Sequence, residues 1–165
     1  MPPVIRSASH EDLPAIVEIY NESGVATTAS YDVEPVTLEE RTAWFERLRN
    51  QGHPVLVLEE DGRVVGFASY GPFRDKAAYL HTVEHSVYVA EGSRSNGAGR
   101  MLLGALLDHA QGCGVHVMIG VLDADNAASR AFHKSLGFVE SAVLSEVGRK
   151  FGRWLDIVFV THRFD

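Results

Sequence analysis

The sequence predicts a mixed α/β fold built on one central, mostly antiparallel sheet flanked by helices. Three observations carry this. β-Branched and aromatic runs alternate with helix-period apolar stripes in the order β-α-α-β-β-β-α-β-α-β-β. An Asp61-Gly62 pair marks a hairpin between two neighbouring strands. The 165 residues are 45% hydrophobic and 22% charged, with no repeat or linker, so residues 1–165 read as a single domain with its own core.

Val4-Ile5-Arg6 reads as the first strand. Ser9-x-x-Asp12 resembles a capping box, with Asp in the usual Glu/Gln place, before a helix striped by Leu13, Ile16, Val17 and Tyr20. Residues 22–35 carry no clear period and read as a loop. Thr37-x-x-Glu40 is a full capping box opening a second helix with Ala43, Trp44 and Leu48, and Gly52 ends it. Residues 55–58 and 64–70 read as strands joined by the Asp-Gly turn, with Gly71-Pro72 breaking the second. Residues 79–89 read as one long strand. A glycine turn follows, then a helix striped by Leu102, Leu103, Leu106, Leu107 and Ala110. Residues 115–122 read as a strand and 126–136 as a short helix stopped by Gly137. Residues 138–146 and 154–163 read as two closing strands.

Charge and cysteine usage narrow the function. A formal net charge of −7 argues against general nucleic-acid binding, so an anionic ligand must be held by local geometry. The lone Cys113 excludes an intrachain disulfide and reads as a packing thiol after a helix. No long apolar run or signal-like start is present, and a cytoplasmic location is the expectation.

The stretch from Val87 to Leu103 is the most informative. A strand runs into a glycine-spaced turn and then a helix, which aims backbone N–H groups and a helix N-terminus at an anion. A nucleotide P-loop fails because no Gly-Lys-Ser/Thr follows. A dinucleotide fingerprint has Gly97 and Gly99, but Leu stands at 102. Arg94-x-x-Gly97-x-Gly99 remains, beside the plain reading of a glycine turn without a ligand. His81-x-x-Glu84-His85 spells an inverted zinc-protease motif, but Thr82, Val83, Val87 and Val89 favour a strand. There the two histidines stand about 13 Å apart, too far to share a metal. No metal is expected.

Arg94-x-x-Gly97-x-Gly99 resembles the pyrophosphate loop of the GNAT acetyltransferases. A second stretch, Asn126 to Phe138, is similar to that family's N-x-x-(S/A)-x-x-x-(Y)-x-x-x-G-F run. The element order also matches the GNAT topology. The resemblance implies acetyl-CoA as cosubstrate, with Val87, Tyr88, Val89, Arg94, Ser95, Asn96, Gly97, Ala98, Gly99, Arg100, Asn126 and Ser135 around it. The family often has Tyr as general acid where this chain has His133, and a His there retains an acid's pKa range.

Thr82-Val83-Glu84-His85-Ser86-Val87-Tyr88-Val89 and Lys150-Phe151-Gly152-Arg153-Trp154-Leu155-Asp156 resemble the phosphinothricin and methionine sulfoximine/sulfone acetyltransferases. That subfamily acetylates the α-amino group of small amino-acid analogues, which implies direct attack on the thioester. An ammonium must first lose a proton, and Glu84 is the general base that the resemblance implies. Val89 N–H is the implied oxyanion donor. A substrate carboxylate calls for a bidentate cation, and Arg74 with Lys76 beside it is the candidate. Tyr31 and His85 are further acceptor-site candidates. The subfamily is dimeric, which implies a homodimer in which Lys150, Phe151 and Arg153 reach the neighbouring site. An acetyltransferase for protein N-termini or polyamines, and a non-catalytic acetyl-CoA sensor, are the alternatives.

Overall fold

The computed structural model describes residues 2–94 and 96–165. Its seven strands are β1 (Val4–Ser7), β2 (Val55–Glu60), β3 (Arg63–Pro72), β4 (Thr82–Val89), β5 (Val117–Asp123), β6 (Val139–Lys150) and β7 (Arg153–Arg163). Its α-helices are α1 (Leu13–Tyr20), α2 (Leu38–Asn50), α3 (Ala98–Gly112) and α4 (Ala127–Ser135). The strands form one sheet in the order β1-β2-β3-β4-β5-β7-β6. Among the described residues only β4 and β5 pair in parallel.

Alternation along β2 builds the two layers. Val55 and Val57 join Leu13, Ile16, Phe45 and Leu48 in a core under α1 and α2. Leu56 and Leu58 point the other way, into a core with Leu102, Leu103 and Leu106 of α3 and Phe138. The local signals act as their chemistry predicts. Thr37 Oγ1 accepts from Glu40 N–H at 3.1 Å, and Glu40 Oε1 accepts from Thr37 N–H at 3.1 Å. Asp61 and Gly62 take positive φ (51° and 77°), as the Asp-Gly hairpin turn requires. Ser9 N–H donates to Asp12 Oδ2 at 2.8 Å, but a single 3-10 turn at His10–Asp12 separates this cap from α1.

Several boundaries differ from expectation. β3 runs on through Gly71-Pro72. Pro72 faces Val83, while the hydrogen bond from Phe73 N–H to Thr82 O (3.3 Å) falls on the next residue pair. Pro72 thus occupies a non-hydrogen-bonded site, where its missing N–H costs no ladder bond. Residues 77–79 form a 3-10 turn instead of strand, so β4 begins at Thr82. Residues 21–25 form a π-helical turn, not loop. β6 extends to Lys150 and turns back at Phe151-Gly152, both at positive φ. Cys113 is exposed, with its Sγ 3.8 Å from His109 Nδ1, and Trp154 is 59% exposed under Arg149. Neither packs in the core. Among the described residues no helix is long and apolar enough to cross a membrane.

Candidate active site

The sheet opens where the site forms. The β4–β5 ladder pairs Thr82 with Val117, Val83 with Met118 and Glu84 with Ile119, and goes no further. On its other edge β4 stays paired to β3 as far as Val89. Phe73 N–H donates to Thr82 O, and Ala90 N–H donates to Val65 O at 2.8 Å. These bonds fix the parity: even residues of β4 turn their backbone groups to β3. The N–H groups of Val87 and Val89 therefore face the gap that β5 has left. Val89 O also points away from β3, and Ser23 Oγ donates to it at 3.0 Å.

A cavity of about 720 Å³ fills this gap. Val87, Tyr88 and Val89 form one wall, and Val121, Leu122 and Asp123 of β5 the other. The start of α3 closes one end with Arg94, Gly97, Ala98, Gly99 and Arg100. Gly97 caps α3 at φ 81°, a left-handed geometry that suits glycine. A Cβ at Gly99 would already touch Phe132 of α4 at 3.4 Å, so the bare backbone keeps this entrance open. The N-terminus of the 15-residue α3 thus meets Arg94 and Arg100 at the cavity, an arrangement that suits an anionic group such as a diphosphate.

Asn126 lines the cavity and caps α4, its Oδ1 accepting from Ser129 N–H at 3.0 Å. Ser135 stands outside the lining; its hydroxyl donates to Phe132 O (2.7 Å) and accepts from Arg100 Nη2 (2.8 Å). Asn96 is exposed and also outside the lining. Ser95 lies outside the described residues.

Glu84 projects from the last β4–β5 pair, on the side of the sheet opposite Val83 and His85. Its side chain is exposed, yet the surrounding protein partly desolvates the carboxylate. That desolvation raises its pKa above the usual carboxylate value, and the charge of Arg74 pulls it partly back. Arg74 itself is exposed and lies over the Phe73 ring at 4.9 Å. Lys76 is exposed at the start of the 3-10 turn.

The loop after the π-helical turn supplies Thr27, Thr28 and Ala29 to the cavity, a contribution with no periodic signal in the sequence. Lys150 holds it there. The ammonium is buried and donates to Thr27 O (2.6 Å) and Ser30 O (2.7 Å). Tyr31 likewise donates its hydroxyl to Asp156 O at 3.1 Å. Both residues join the loop to the β6–β7 hairpin. Phe151 is 61% exposed at the hairpin tip.

His85 and His133 are buried together on the α3 side. Their Nε2 atoms are 2.9 Å apart, His85 Nδ1 meets Ile119 O at 3.2 Å, and His133 Nδ1 meets Ser129 O at 2.8 Å. Burial lowers both pKa values; for His85, with the charge of His133 adding to the effect, to about 3. Every ring nitrogen of the pair already has a protein partner. His85, expected in the acceptor site, lines the cavity and projects from the sheet face opposite Glu84. The His–His contact joins positions 48 residues apart and left no local signal.

Residues 13–138 match the model of the Acetyltransferase (GNAT) family. The chain is 47% identical over 161 residues to the L-amino acid N-acyltransferase MnaT of Escherichia coli, covering 98% of this chain and 94% of that protein. It is 45% identical to an L-methionine sulfoximine/L-methionine sulfone acetyltransferase of Salmonella typhimurium, with the same coverage. A Salmonella typhimurium acetyltransferase structure with its cofactor acetyl-CoA superposes with a TM-score of 0.95 at 45% identity, covering 99% of this chain and 94% of that one. The chain is thus an acetyl-CoA-dependent N-acetyltransferase and belongs to the GNAT acetyltransferase family.

Proposed function

We propose that the enzyme acetylates the free α-amino group of a small amino acid or analogue, with methionine sulfone, methionine sulfoximine and phosphinothricin as the acceptor class. The observation that carries this is Glu84 at the last β4–β5 pair, within electrostatic reach of Arg74 in the loop after β3. One is a carboxylate for an ammonium, the other a guanidinium for a carboxylate. The names of the two relatives above agree with that chemistry.

Acetyl-CoA supplies an activated thioester when bound. The N-terminus of α3, with Arg94, Gly97, Gly99 and Arg100, is suited to its pyrophosphate. Asn126 is suited to the pantetheine arm. Glu84 takes a proton from the acceptor ammonium, directly or through water, and its raised pKa makes it a better base than a free carboxylate. Val89 N–H faces the cleft and meets the oxygen on which charge develops. The amine forms its bond to carbon as the carbon–sulfur bond breaks, with no acyl group passing to the protein. His133, the candidate acid, has both nitrogens engaged, so the weakly basic thiolate takes its proton from water.

Val139, Val143, Val147, Phe151 and Trp154 expose an apolar band along edge strand β6 and its hairpin, which supports a homodimer. The absence of a required disulfide fits a cytoplasmic setting. A CoA-release assay over a panel of acceptors tests the reading. Methionine sulfone and sulfoximine should turn over well above spermidine and N-terminal peptides. Preference for spermidine or a peptide would overturn the acceptor class.

A further inference from the structure

The contact between His85 and His133 poses a counting problem. The carbonyl oxygens of Ile119 and Ser129 only accept hydrogen bonds, so each of these Nδ1 contacts needs a hydrogen on Nδ1; the Ser129 hydroxyl also approaches His133 Nδ1, but at 3.5 Å against 2.8 Å for the carbonyl. The Nε2–Nε2 contact at 2.9 Å needs one as well. Two neutral imidazoles own two N–H groups for these three contacts. Burial disfavours a third proton, so one contact goes unmet, and the 3.2 Å approach to Ile119 O is the longest. The assignment that keeps the two short contacts makes His85 the Nε2–H donor. His133 then accepts at Nε2 and donates from Nδ1 to Ser129 O. His85 in this way sets the tautomer of its neighbour.

The surroundings are shaped for the His85 ring. It stacks on Phe138 with centroids 5.4 Å apart. A Cβ on Gly120 would lie 2.5 Å from its Cε1, so β5 carries no side chain where the ring sits. Among the described residues no carboxylate hydrogen-bonds to either ring. The ring reaches β5 one residue beyond the last β4 residue paired with that strand, and it reaches α4 through His133. Just beyond the last β4–β5 backbone pair, the two imidazoles join β4 to α4.

We propose that His85 is a positioning residue for acetyl transfer: through His133 it ties α4 to β4 and fixes the spacing of the cleft between Val87–Val89 and Asn126–Ser129. It acts on the geometry of the thioester and touches no reacting atom. The activity consequence rests on the acetyl-transfer reading above; the tautomer assignment stands apart from it.

The test combines two readouts. In ¹⁵N-labelled wild-type enzyme, histidine nitrogen shifts should report His85 as the Nε2–H tautomer and His133 as Nδ1–H. His133 found as Nε2–H overturns the proposal, whether or not any acceptor is turned over. His85→Phe keeps the ring and loses the bond; kcat should fall about tenfold or more, since small misplacements near the reacting centre cost that much. The Kd for acetyl-CoA should stay within about twofold, because α3 binds the pyrophosphate. His85→Gln returns an amide to the Nε2 position and should restore kcat to within about threefold of wild type. Full activity in His85→Phe, or a glutamine variant no better than it, overturns the proposal. If both variants fail to fold, the wild-type tautomers decide. Wild-type enzyme inert toward every amino acid would fault the acceptor reading and leave the tautomer result intact.

Discussion

Gly120→Ala is the most quantitative perturbation the structure offers. The new methyl would sit 2.5 Å from His85 Cε1, 3.2 Å from His85 Nδ1 and 2.8 Å from Val160 Cγ2. Carbon atoms in contact sit about 3.5–4.0 Å apart, so the shortfall is roughly 1 Å on one side and 0.7 Å on the other. Neither neighbour can recede freely. Val160 is 1% exposed and pairs with Gly120 itself across β5–β7, while His85 is stacked and hydrogen-bonded. Overpacking of this kind costs about 1–3 kcal/mol. For a domain of this size that lowers Tm by roughly 2–12 °C. The displaced ring also loses its hydrogen bond to His133, so turnover falls with stability. Gly104→Ala is the control: it lies inside α3, a Cβ there meets nothing within 4 Å, and removing a helical glycine should raise stability by up to about 1 kcal/mol. Thermal unfolding by circular dichroism and a CoA-release assay read both variants. Wild-type Tm and turnover in Gly120→Ala would refute the packing argument.

Two further predictions use charge. Arg74→Ala removes the charge that holds the Glu84 pKa down, so the acid limb of kcat/KM should move to higher pH while the acceptor KM rises; an unmoved limb in a pH–rate profile removes Arg74 from the site. Arg6 bonds the buried Asp12 at 2.7 and 2.9 Å and lowers its pKa. Because the folded pKa is lowered, that stabilisation is complete above the ordinary carboxylate range and is lost as pH falls through the lowered value. Arg6→Met should therefore cost about 1–3 kcal/mol at pH 7, kept modest by the exposure of Arg6, with the deficit shrinking below about pH 4 in urea titrations.

What could be read in the sequence was local. The Thr37 box and the Asp61-Gly62 turn each satisfy backbone groups within a few residues, so a short window contains their whole cause. The element order followed from local apolar periodicity, and the cofactor from two short stretches, Arg94–Gly99 and Asn126–Phe138, that resemble the family's. The parting of β4 and β5 depends on pairing across the chain and is invisible in either strand alone. The same holds for Thr27–Ala29, whose loop Lys150 holds at the carbonyls of Thr27 and Ser30 from more than a hundred residues away. Pro72 misled as a breaker because its effect depends on which side of the strand lacks a partner. Cys113 misled because hydrophobic character alone does not say whether a neighbouring element covers it.

The base assignment at Glu84 is the centre of the account, and Glu84→Gln tests it most directly. The amide keeps size and hydrogen-bonding capacity but cannot take a proton at neutral pH. With L-methionine sulfone as acceptor, kcat should fall by about 100-fold or more while the acetyl-CoA Kd, measured by calorimetry, stays at its wild-type value. Turnover near the wild-type rate at pH 7 would contradict Glu84 as the group that frees the amine.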